Sequence, residues 1–320
     1  MKFLVVRFSS IGDIVLTTPV IRCIKNQISN SEVHFLTKKS FAEVLKFNPY
    51  IDKLHLIESN VSEIISVLKL EKFDAVIDLH HNLRTMQLKH ALKVKSYSFN
   101  KLNYKKWLMV RLKLNRLPQV HIVDRYLETL KDFSVENDRN GLDYYISGED
   151  EVSLSDFPDK FSHGYHALVL GGTYFTKQIP INKLIEICEK SNYPLVLLGG
   201  KTERETACRL KEKFIDKVFN ACGMYSLNQS ASILKNSRKV FTSDTGLMHI
   251  AAAFKKDIVS LWGNTIPEFG MTPYMPGENS VILENKSLSC RPCSKLGYAK
   301  CPKKHFRCMN ELEISERLFM

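Results

Sequence analysis

One stretch of this sequence, Phe241-Thr-Ser-Asp-Thr-Gly-Leu-Met-His-Ile-Ala-Ala-Ala253, has the pattern of a strand that turns directly into a helix. Residues 238–242 are typical of a short buried strand, and residues 247–254 are typical of a helix. Between them, residues 243–246 are turn and helix-cap types. A strand that enters a helix through such a turn leaves backbone N–H groups at the helix start, where they favour a phosphate.

Two side chains in this stretch admit more than one interpretation. Asp244 adds negative charge to a phosphate site, so it fits better as a residue that orients neighbouring donors or binds a hydroxyl. His249 follows one helical turn later, where it can reach the same anion. The alternative is an ordinary capped helix with a surface histidine, and the stretch alone leaves both open.

Length and composition limit the kind of protein. A chain of 320 residues is long enough for two domains, each with its own core. Hydrophobic residues make up 44% and charged residues 25%, as in an ordinary globular protein. The net charge of +12 favours an anionic partner such as a nucleotide, a phosphorylated acceptor, a membrane face or nucleic acid.

The N-terminal residues do not have the pattern of a signal peptide, because Arg7 and Asp13 interrupt the apolar run. Uncharged apolar runs also stay well below the ~20 residues that a membrane-spanning helix needs. We therefore predict a cytoplasmic enzyme.

The first half of the chain alternates strand and helix patterns, which predicts a doubly wound parallel sheet. The predicted strands are residues 2–8, 32–37, 53–57 and 73–79, and the predicted helices are residues 14–26, 41–46, 61–70 and 121–133. Pro19 predicts a kink or a helix start within the first helix.

Asp13 follows the first predicted strand in the loop Ser9-Ser-Ile-Gly-Asp13. A carboxylate at the carboxyl end of a parallel strand faces the crevice where ligands bind in open α/β sheets. Asp13 is thus a candidate general base, and the alternative is a helix N-cap. The polar run 78–84 at the end of the fourth strand is a second candidate site, or a solvated loop.

Residues 84–117 carry ten Lys or Arg and no acidic residue, with aromatic residues interleaved. This composition predicts binding to a phosphorylated lipid or an anionic membrane face. Basic and aromatic stretches also bind nucleic acid. A solvated helix face is the third alternative.

After an acidic, linker-like segment at residues 147–163, the strand and helix alternation starts again. Three strands of this second half end in Gly171-Gly-Thr, Gly199-Gly-Lys-Thr-Glu203 and Ser243-Asp-Thr-Gly246, and another ends at Gly263. Carboxyl ends of parallel strands share one sheet edge, and small residues let a ligand approach the backbone. Lys177 offers a cation for a phosphate and Glu203 an acceptor for ribose hydroxyls, so these loops predict a nucleotide site.

The sequence resembles glycosyltransferase family 9, the bacterial heptosyltransferases of lipopolysaccharide core assembly, over nearly its whole length. The most specific matches are Ile-Gly-Asp with Leu-Thr-Thr-Pro in residues 11–19 and Ser-Asp-Thr-Gly-x-x-His-Ile-Ala-Ala in residues 243–252. The cysteine-containing end, Ser289-Cys-Arg-Pro-Cys to Met309, is also similar to tails found in that family.

The resemblance implies an α/β GT-B fold, with two Rossmann-like doubly wound domains that face each other across a cleft. Residues 1–150 would form the acceptor-binding domain and residues 151–304 the nucleotide-sugar-binding domain. Residues 305–320 would form a helix that returns to the first domain.

The resemblance also implies inverting, metal-independent transfer of a heptose from an ADP-sugar to a lipopolysaccharide core (Kdo/heptose) acceptor, with Asp13 as the base. The residues that match the nucleotide site are Thr173, Thr176, Lys177, Glu203, Asp244, Thr245, Gly246 and His249. No cofactor is expected, since the ADP-sugar is a substrate. The implied acceptor is a lipid-linked or phosphorylated sugar, which suggests a location at the inner face of the inner membrane.

Two alternatives remain beside this function. One is an enzyme of the same architecture that uses another nucleotide-sugar. The other is a basic nucleic-acid-binding protein, which we do not expect because it gives the glycine loops and Asp13 no role. A dehydrogenase is disfavoured because no G-x-G-x-x-G fingerprint follows a strand.

Four cysteines near the end, Cys290, Cys293, Cys301 and Cys308, have the residue types of a zinc site, with His305 among them. The C-x-x-C half is a zinc-like spacing, but the second half fits no standard zinc finger. The alternative is a compact, reduced loop, and we predict no metal.

Overall fold

The computed structural model describes residues 1–319, which form two α/β units. The first unit comprises Met1–Lys101 and Val120–Tyr145. The second comprises Leu102–Gln119 and the chain from Ile146 onward. The segment 102–119 therefore belongs with the second unit, although its sequence lies within the predicted first domain. Among residues 1–319, no helix has the length and apolar character needed to cross a bilayer.

The first unit is built on a five-stranded sheet in which all neighbouring strands are parallel. Its strands are β1 (Lys2–Val6), β2 (Glu32–Lys38), β3 (Lys53–Ile57), β4 (Ala75–Asp78) and β5 (Ser96–Ser98). The order across the sheet is β3-β2-β1-β4-β5. The direction of winding thus reverses between β1 and β4, and ligands bind at such switch points in open α/β sheets.

The helices of the first unit cover this sheet. They are α1 (Ile11–Val15), α2 (Thr18–Gln27), α3 (Ile65–Leu70), α4 (Leu83–Leu92) and α6 (Ile122–Leu127), with 3₁₀ turns at Lys39–Val44, Val61–Glu63 and Glu128–Phe133. The predicted first helix is split in two, and Pro19 lies in the first turn of α2. A proline is accommodated there because its missing N–H has no intrahelical acceptor.

One part of the first unit's core lies between its sheet and α3 and α4. Leu4 and Val6 from β1 pack with Leu68 from α3 and Leu88 from α4, and all four are fully buried. Burial on this scale is the main stabilising term of such a domain. The inner strands β1 and β4 are nearly continuous apolar runs because inner parallel strands are covered on both faces.

The second unit contains a six-stranded parallel sheet. Its strands are β6 (His166–Val169), β7 (Leu195–Leu198), β8 (Val218–Asn220), β9 (Lys239–Ser243), β10 (Asp257–Trp262) and β11 (Val281–Glu284). The order is β11-β10-β9-β6-β7-β8, the doubly wound order of dinucleotide-binding domains. Its switch point lies between β6 and β9.

Six helices belong to the second unit, and most of them cover its sheet. They are α5 (Asn103–Leu112), α7 (Ile181–Lys190), α8 (Arg204–Lys213), α9 (Leu227–Asn236), α10 (Gly246–Ala253) and α11 (Arg307–Asn310). Short 3₁₀ turns occur at Gly148–Asp150, Leu154–Asp156, Asp159–Phe161, Phe175–Lys177, Lys201–Glu203, Pro267–Phe269 and Glu316–Phe319.

Two edge strands, β5 and β11, were not predicted. An edge strand pairs on one side only, and most residues of β5 and β11 are partly or fully exposed. The sequence of β5, Ser-Tyr-Ser, therefore lacks the apolar run that marks the inner strands, whereas β11, Val-Ile-Leu-Glu, has a short apolar run that was not predicted as a strand. The predicted linker at residues 147–163 also differs, because Phe157 and Phe161 are buried and contact the ring of Phe219.

The C-terminal segment differs from the predicted helix that returns to the first domain. After the one-turn α11, Leu312, Ile314 and Leu318 join the core cluster of the second unit. Phe319 stacks on Phe241 of β9 with ring centroids 4.9 Å apart. The apolar side chains of this segment complete the cover of the second sheet, which explains why it stays there.

Candidate active site

Asp13 lies in α1, directly after β1 and beside the switch point of the first sheet. Its Oδ1 is 2.7 Å from Nη2 of Arg7. Its Oδ2 accepts a hydrogen bond of 2.8 Å from the Ser10 hydroxyl. The side chain is 21% exposed, so the carboxylate is held in place and still reaches solvent.

Arg7 fixes this carboxylate and is itself 8% exposed. Its guanidinium also donates to the Ser9 carbonyl at 2.7 Å, the Leu79 carbonyl at 2.6 Å and the Tyr126 hydroxyl at 3.1 Å. Burial opposes the charge, but Tyr126 and Asp13 outweigh it and raise the pKa of Arg7. Sequence reasoning missed Arg7, although a charged residue in an apolar strand was the available signal.

The end of β4 lies next to β1 and forms the other side of this switch point. Asp78 is fully buried and accepts the N–H groups of His80 at 3.1 Å and His81 at 2.7 Å. Burial opposes its charge, but the His81 N–H and Lys89 outweigh it and lower the pKa of Asp78. Asp78 therefore orders the turn that was predicted as a second site.

His80 brings an imidazole to the same strand end. Burial and the nearby Arg7 charge lower its pKa to about 4, so the ring is neutral at neutral pH. The ring lies 4.9 Å from that of Phe8. The guanidinium carbon of Arg84, which starts the basic segment, lies 5.3 Å from the centre of the Phe8 ring. The first site is thus a carboxylate bordered by a cation and a neutral imidazole.

In the second unit, Lys177 and Asp244 form an ion pair across the switch point of the sheet. Lys177 Nζ, after β6, is 2.6 Å from Oδ2 of Asp244, after β9. The Thr265 hydroxyl, after β10, donates to the same oxygen at 3.1 Å. The three neighbouring strand ends are therefore tied together at Asp244. This geometry agrees with the interpretation that Asp244 orients neighbouring donors.

The start of α10 has the capped geometry that its sequence predicts. Thr245 is the N-cap, and its hydroxyl accepts the Met248 N–H at 3.3 Å. Gly246 is the first helical residue, so its N–H lies among those that a helix start leaves without an intrahelical acceptor. His249 follows one turn later and is buried. A contact between His249 and an anion therefore stays a prediction.

Glu203 organises the glycine loop after β7. Its carboxylate accepts the Gly200 N–H at 2.7 Å and the Thr202 hydroxyl at 2.8 Å. A methyl group on Gly171 would lie 3.8 Å from Oε2 of Glu203, so the loops after β6 and β7 are adjacent. The structure thus brings the predicted ribose acceptor to the same sheet edge as the predicted phosphate ligands.

The two threonines of the loop after β6 are in different environments. Thr176 is buried, and its hydroxyl donates to the Tyr298 carbonyl at 3.2 Å and accepts the Tyr298 N–H at 2.8 Å. Thr173 is exposed. Of the two predicted ligands, Thr173 is the exposed residue, whereas Thr176 holds the loop against the cysteine-containing tail.

Arg291 of that tail positions the loop after β10. Its guanidinium donates to the carbonyls of Trp262 at 3.2 Å and Thr265 at 2.9 Å, and it pairs with Glu284 at 3.2 Å. It also donates to the Gly263 carbonyl. Thr265 is thereby held where it contacts Asp244. Sequence reasoning missed this role, because nothing local marks the partner of a single arginine in a loop.

The cysteines of the tail are all reduced. Cys293 Sγ contacts the Cys290 carbonyl at 3.2 Å, and Cys290 Sγ lies 3.9 Å from Nε2 of His305. His305 Nδ1 accepts the Arg307 N–H at 3.0 Å, so its Nε2 carries the proton in the neutral ring and points a donor at Cys290. None of these cysteines forms a disulfide, and the absence of a metal at this loop stays a prediction.

Among residues 1–319, the three side chains whose metal-ligating atoms lie within 4.8 Å of one another are His34, His55 and Glu71. His34 Nδ1 is 3.0 Å from His55 Nε2. Lys2 and Lys53 both contact the Glu71 carboxylate, so this carboxylate already has two cationic partners. We interpret the group as a buried hydrogen-bond network beside ion pairs.

Sequence comparison assigns the family. A profile of glycosyltransferase family 9 (heptosyltransferase) matches residues 61–300, which is most of the chain. The chain belongs to this family. It is therefore a glycosyltransferase, and the family and enzyme class predicted from residues 11–19 and 243–252 are confirmed.

Individual relatives agree with this assignment. Lipooligosaccharide heptosyltransferase 2 of Campylobacter jejuni is 26% identical over 95% of this chain and 92% of its own length. Among solved structures, a family 9 glycosyltransferase of Veillonella parvula has a TM-score of 0.71 at 22% identity, covering 89% of this chain and 86% of its own. E. coli heptosyltransferase WaaC with ADP has a TM-score of 0.64 at 22% identity, covering 88% and 92%. The predicted GT-B fold of two Rossmann-like domains is confirmed.

Proposed function

We propose that this glycosyltransferase moves a heptose from an ADP-sugar to a lipopolysaccharide core acceptor, a Kdo or heptose residue. The observation that carries the proposal is the junction of three strand ends at Asp244, where Lys177 is held at the switch point of the second sheet. A lysine, a helix start and glycine loops at that edge suit a nucleoside diphosphate. The heptosyltransferase relatives, one of them solved with ADP, support this donor.

Asp13 supplies the chemistry on the acceptor side. Its carboxylate takes the proton from the acceptor hydroxyl while that oxygen attacks C1 of the sugar. The new C1–O bond forms on the face opposite the diphosphate, the old C1–O bond breaks, and ADP leaves with the bonding pair. The configuration at C1 is inverted. Arg7 and Ser10 hold the carboxylate for this step.

The charge that grows on the departing diphosphate has protein partners within the second unit. Lys177 can turn from Asp244 to a phosphate oxygen, and the N–H groups at the start of α10 can donate to it. His249 is the third predicted contact. Because these groups supply cationic and N–H partners, we propose that transfer needs no metal ion and no cofactor.

The acceptor is expected to be a lipid-linked or phosphorylated sugar. A water-soluble nucleotide-sugar and a lipid-linked acceptor meet at a membrane surface, so we place the reaction at the cytoplasmic face of the inner membrane. A nucleic acid has no place in this reaction.

Transfer is tested by mixing the full chain with ADP-heptose and a Kdo-bearing lipid A acceptor, then measuring ADP release and the mass of the acceptor. We expect both products, and we expect them to persist in EDTA. A melting-temperature screen with ADP-, UDP- and GDP-sugars identifies the donor, since a bound ligand stabilises the folded state. Stabilisation by a UDP- or GDP-sugar alone would favour an enzyme with another donor. Loss of activity in EDTA would contradict metal independence.

A further inference from the structure

Helix α5 is unusual among the helices of the second unit, because none of its ten residues is buried. Helices in globular proteins gain most of their stability from packing an apolar face. The exposed side chains of α5 and the segment after it include Tyr104 at 71%, Trp107 at 51%, and Leu112 and Leu114 at about half. An exposed set of large apolar side chains on one short segment marks an interaction surface.

The aromatic residues of α5 lie on one side of the helix. Tyr104, Trp107 and Arg111 follow the i, i+3, i+7 spacing of a single helical face, and all three are exposed. The rings of Tyr104 and Trp107 are nearly parallel, with centroids 6.3 Å apart and an angle of 13°. The face therefore presents a flat aromatic pair with a guanidinium one turn away.

Other contacts anchor this segment to the body of the second unit. Lys106 Nζ lies 5.7 Å from the centre of the Phe269 ring. Lys113 Nζ donates to the carbonyls of Cys290 at 3.2 Å and Pro292 at 2.7 Å. The helix is thus attached through two of its cations, while the face with Trp107 remains outward.

Charge distinguishes α5 from helix α8, which has the same length and also carries exposed cations. Residues 102–119 contain five Lys or Arg and no Asp or Glu. Helix α8, of the same length, mixes both signs, and its Arg209 pairs with Glu205 at 2.6 Å. A mixed surface is an ordinary solvated one, whereas a segment with cations, tryptophan, tyrosine and leucine suits an interface between water and anionic lipid.

We propose that residues 102–119 dock the enzyme on the surface of an anionic phospholipid bilayer. Trp107 and Tyr104 would insert at the headgroup level, Leu112 and Leu114 would add apolar contact, and Lys105 and Arg111 would contact lipid phosphates. This inference deepens the proposed function, since it names the surface on which a lipid-linked acceptor is met. It does not depend on which sugar is transferred.

The test uses the full chain and sedimentation with large vesicles, either of phosphatidylcholine alone or with about a third phosphatidylglycerol. No sugar nucleotide or acceptor is present, so the result is independent of transferase activity. We expect binding to the anionic vesicles and loss of binding in about 1 M salt, where the Debye length falls to about 3 Å. Equal binding to both vesicle types would overturn the electrostatic part of the inference, and absence of binding would overturn all of it.

A matched pair of variants localises the surface. The double variant Lys105→Gln/Arg111→Gln should weaken vesicle binding about 25-fold, at about fivefold for each cation removed. The control Arg209→Gln/Lys213→Gln on α8 removes the same charge from a mixed surface and should leave binding nearly unchanged. An equal loss in both variants would assign the effect to net charge and overturn the assignment to α5.

Tryptophan fluorescence gives a second readout. The chain has two tryptophans, and Trp262 is 1% exposed, so a quencher reaches Trp107 first. Vesicles with brominated acyl chains should quench the emission, and Trp107→Phe should abolish that quenching. If quenching is absent while a short RNA binds through Lys105 and Arg111, the segment is a nucleic-acid surface and the lipid proposal fails.

Discussion

The two units each hold an aspartate beside a cation at a switch point, but they hold it in different ways. In the first unit, Asp13 is bound by Arg7, a buried guanidinium that also donates to two carbonyls and a tyrosine hydroxyl. In the second unit, Asp244 is bound by Lys177, which is more exposed and ends in a point charge on a flexible stem. In the first pair, the several contacts of Arg7 fix the position of Asp13. In the second pair, Lys177 has a flexible side chain and does not fix Asp244 in this way.

This difference separates two roles. A guanidinium with several fixed acceptors keeps its carboxylate in one place, as a proton acceptor requires. The carboxylate keeps the lysine ammonium group close to the phosphate site. When a phosphate binds, the ammonium group can exchange the carboxylate for a phosphate oxygen. The first pair therefore controls the position of the aspartate, and the second controls the position of the cation. The first two predictions below, Asp13→Ala and Lys177→Ala, test this separation directly.

The largest expected effect comes from Asp13→Ala. Without the carboxylate no group takes the acceptor proton, so the transfer rate should fall by about 10²–10⁴-fold. ADP affinity, measured by titration calorimetry, should stay within about twofold, because Asp13 belongs to the other unit's site. Full activity of this variant would remove Asp13 as the base, and a parallel loss of ADP binding would break the separation of roles.

Lys177→Ala should affect the second pair and therefore the binding of the sugar donor. Loss of a charged hydrogen bond to phosphate is worth about 1.5–3 kcal/mol, so ADP-sugar affinity should fall about ten- to a hundredfold. Lys177→Arg retains the charge and should recover part of the affinity. The calorimetric dissociation constants of the three proteins check this. Unchanged affinity of the alanine variant would contradict the assignment.

Each unit also contains a buried histidine, His55 in the first and His166 in the second. Burial lowers the pKa of both from 6.5 to about 4, aided by the charges of His34 and Lys239 respectively. The unfolded chain takes up these protons as the pH falls through 6.5, and the folded chain does not until about pH 4. Stability is therefore present above pH 6.5 and is lost as the pH falls.

Between pH 6.5 and pH 5 this loss should reach about 2 kcal/mol for each histidine. Denaturant unfolding at the two pH values measures it. His166→Gln should reduce the difference, whereas the same change at the exposed His163 should not. An equal pH dependence in the wild type and in His166→Gln would show that His166 does not contribute.

The smallest expected effect is at the cap of α10. Thr245→Ala removes the hydroxyl that accepts the Met248 N–H and should lower the free energy of unfolding by about 1 kcal/mol. Thr245→Ser keeps the cap and is the control. If the alanine variant also loses ADP affinity while the serine variant does not, the cap organises the phosphate site as well as the helix. Unchanged stability in both would contradict the capping role.

The sequence allowed the strand ends to be predicted because parallel strands are apolar runs that end in polar turns. Asp13, Lys177, Glu203 and Asp244 all follow such runs, so their common sheet edges followed from local pattern. The order of the strands in each sheet depends on which distant segments pair with each other. The hydrophobic periodicity of the sequence carries no information on that pairing.

The partners of these residues were not predictable in the same way. Arg7 contacts Tyr126 across 119 residues of chain, and Thr176 contacts Tyr298 across 122. Arg291 likewise contacts Thr265, and Phe319 contacts Phe241, because the C-terminal segment packs on the second sheet. Such contacts depend on tertiary packing, which overrides the local signals that a single sequence offers.

Residues 102–119 belong to the second unit although they lie between two parts of the first unit in the sequence. This has a practical consequence for the design of single-unit fragments. The backbone changes units at three places, after Lys101, after Gln119 and after Tyr145. A fragment cut at Tyr145 would carry α5 away from Phe269 and the tail that anchor it, and the remaining fragment would lack that helix. A clean chimera with a relative must exchange residues 102–119 together with the chain from Ile146 onward.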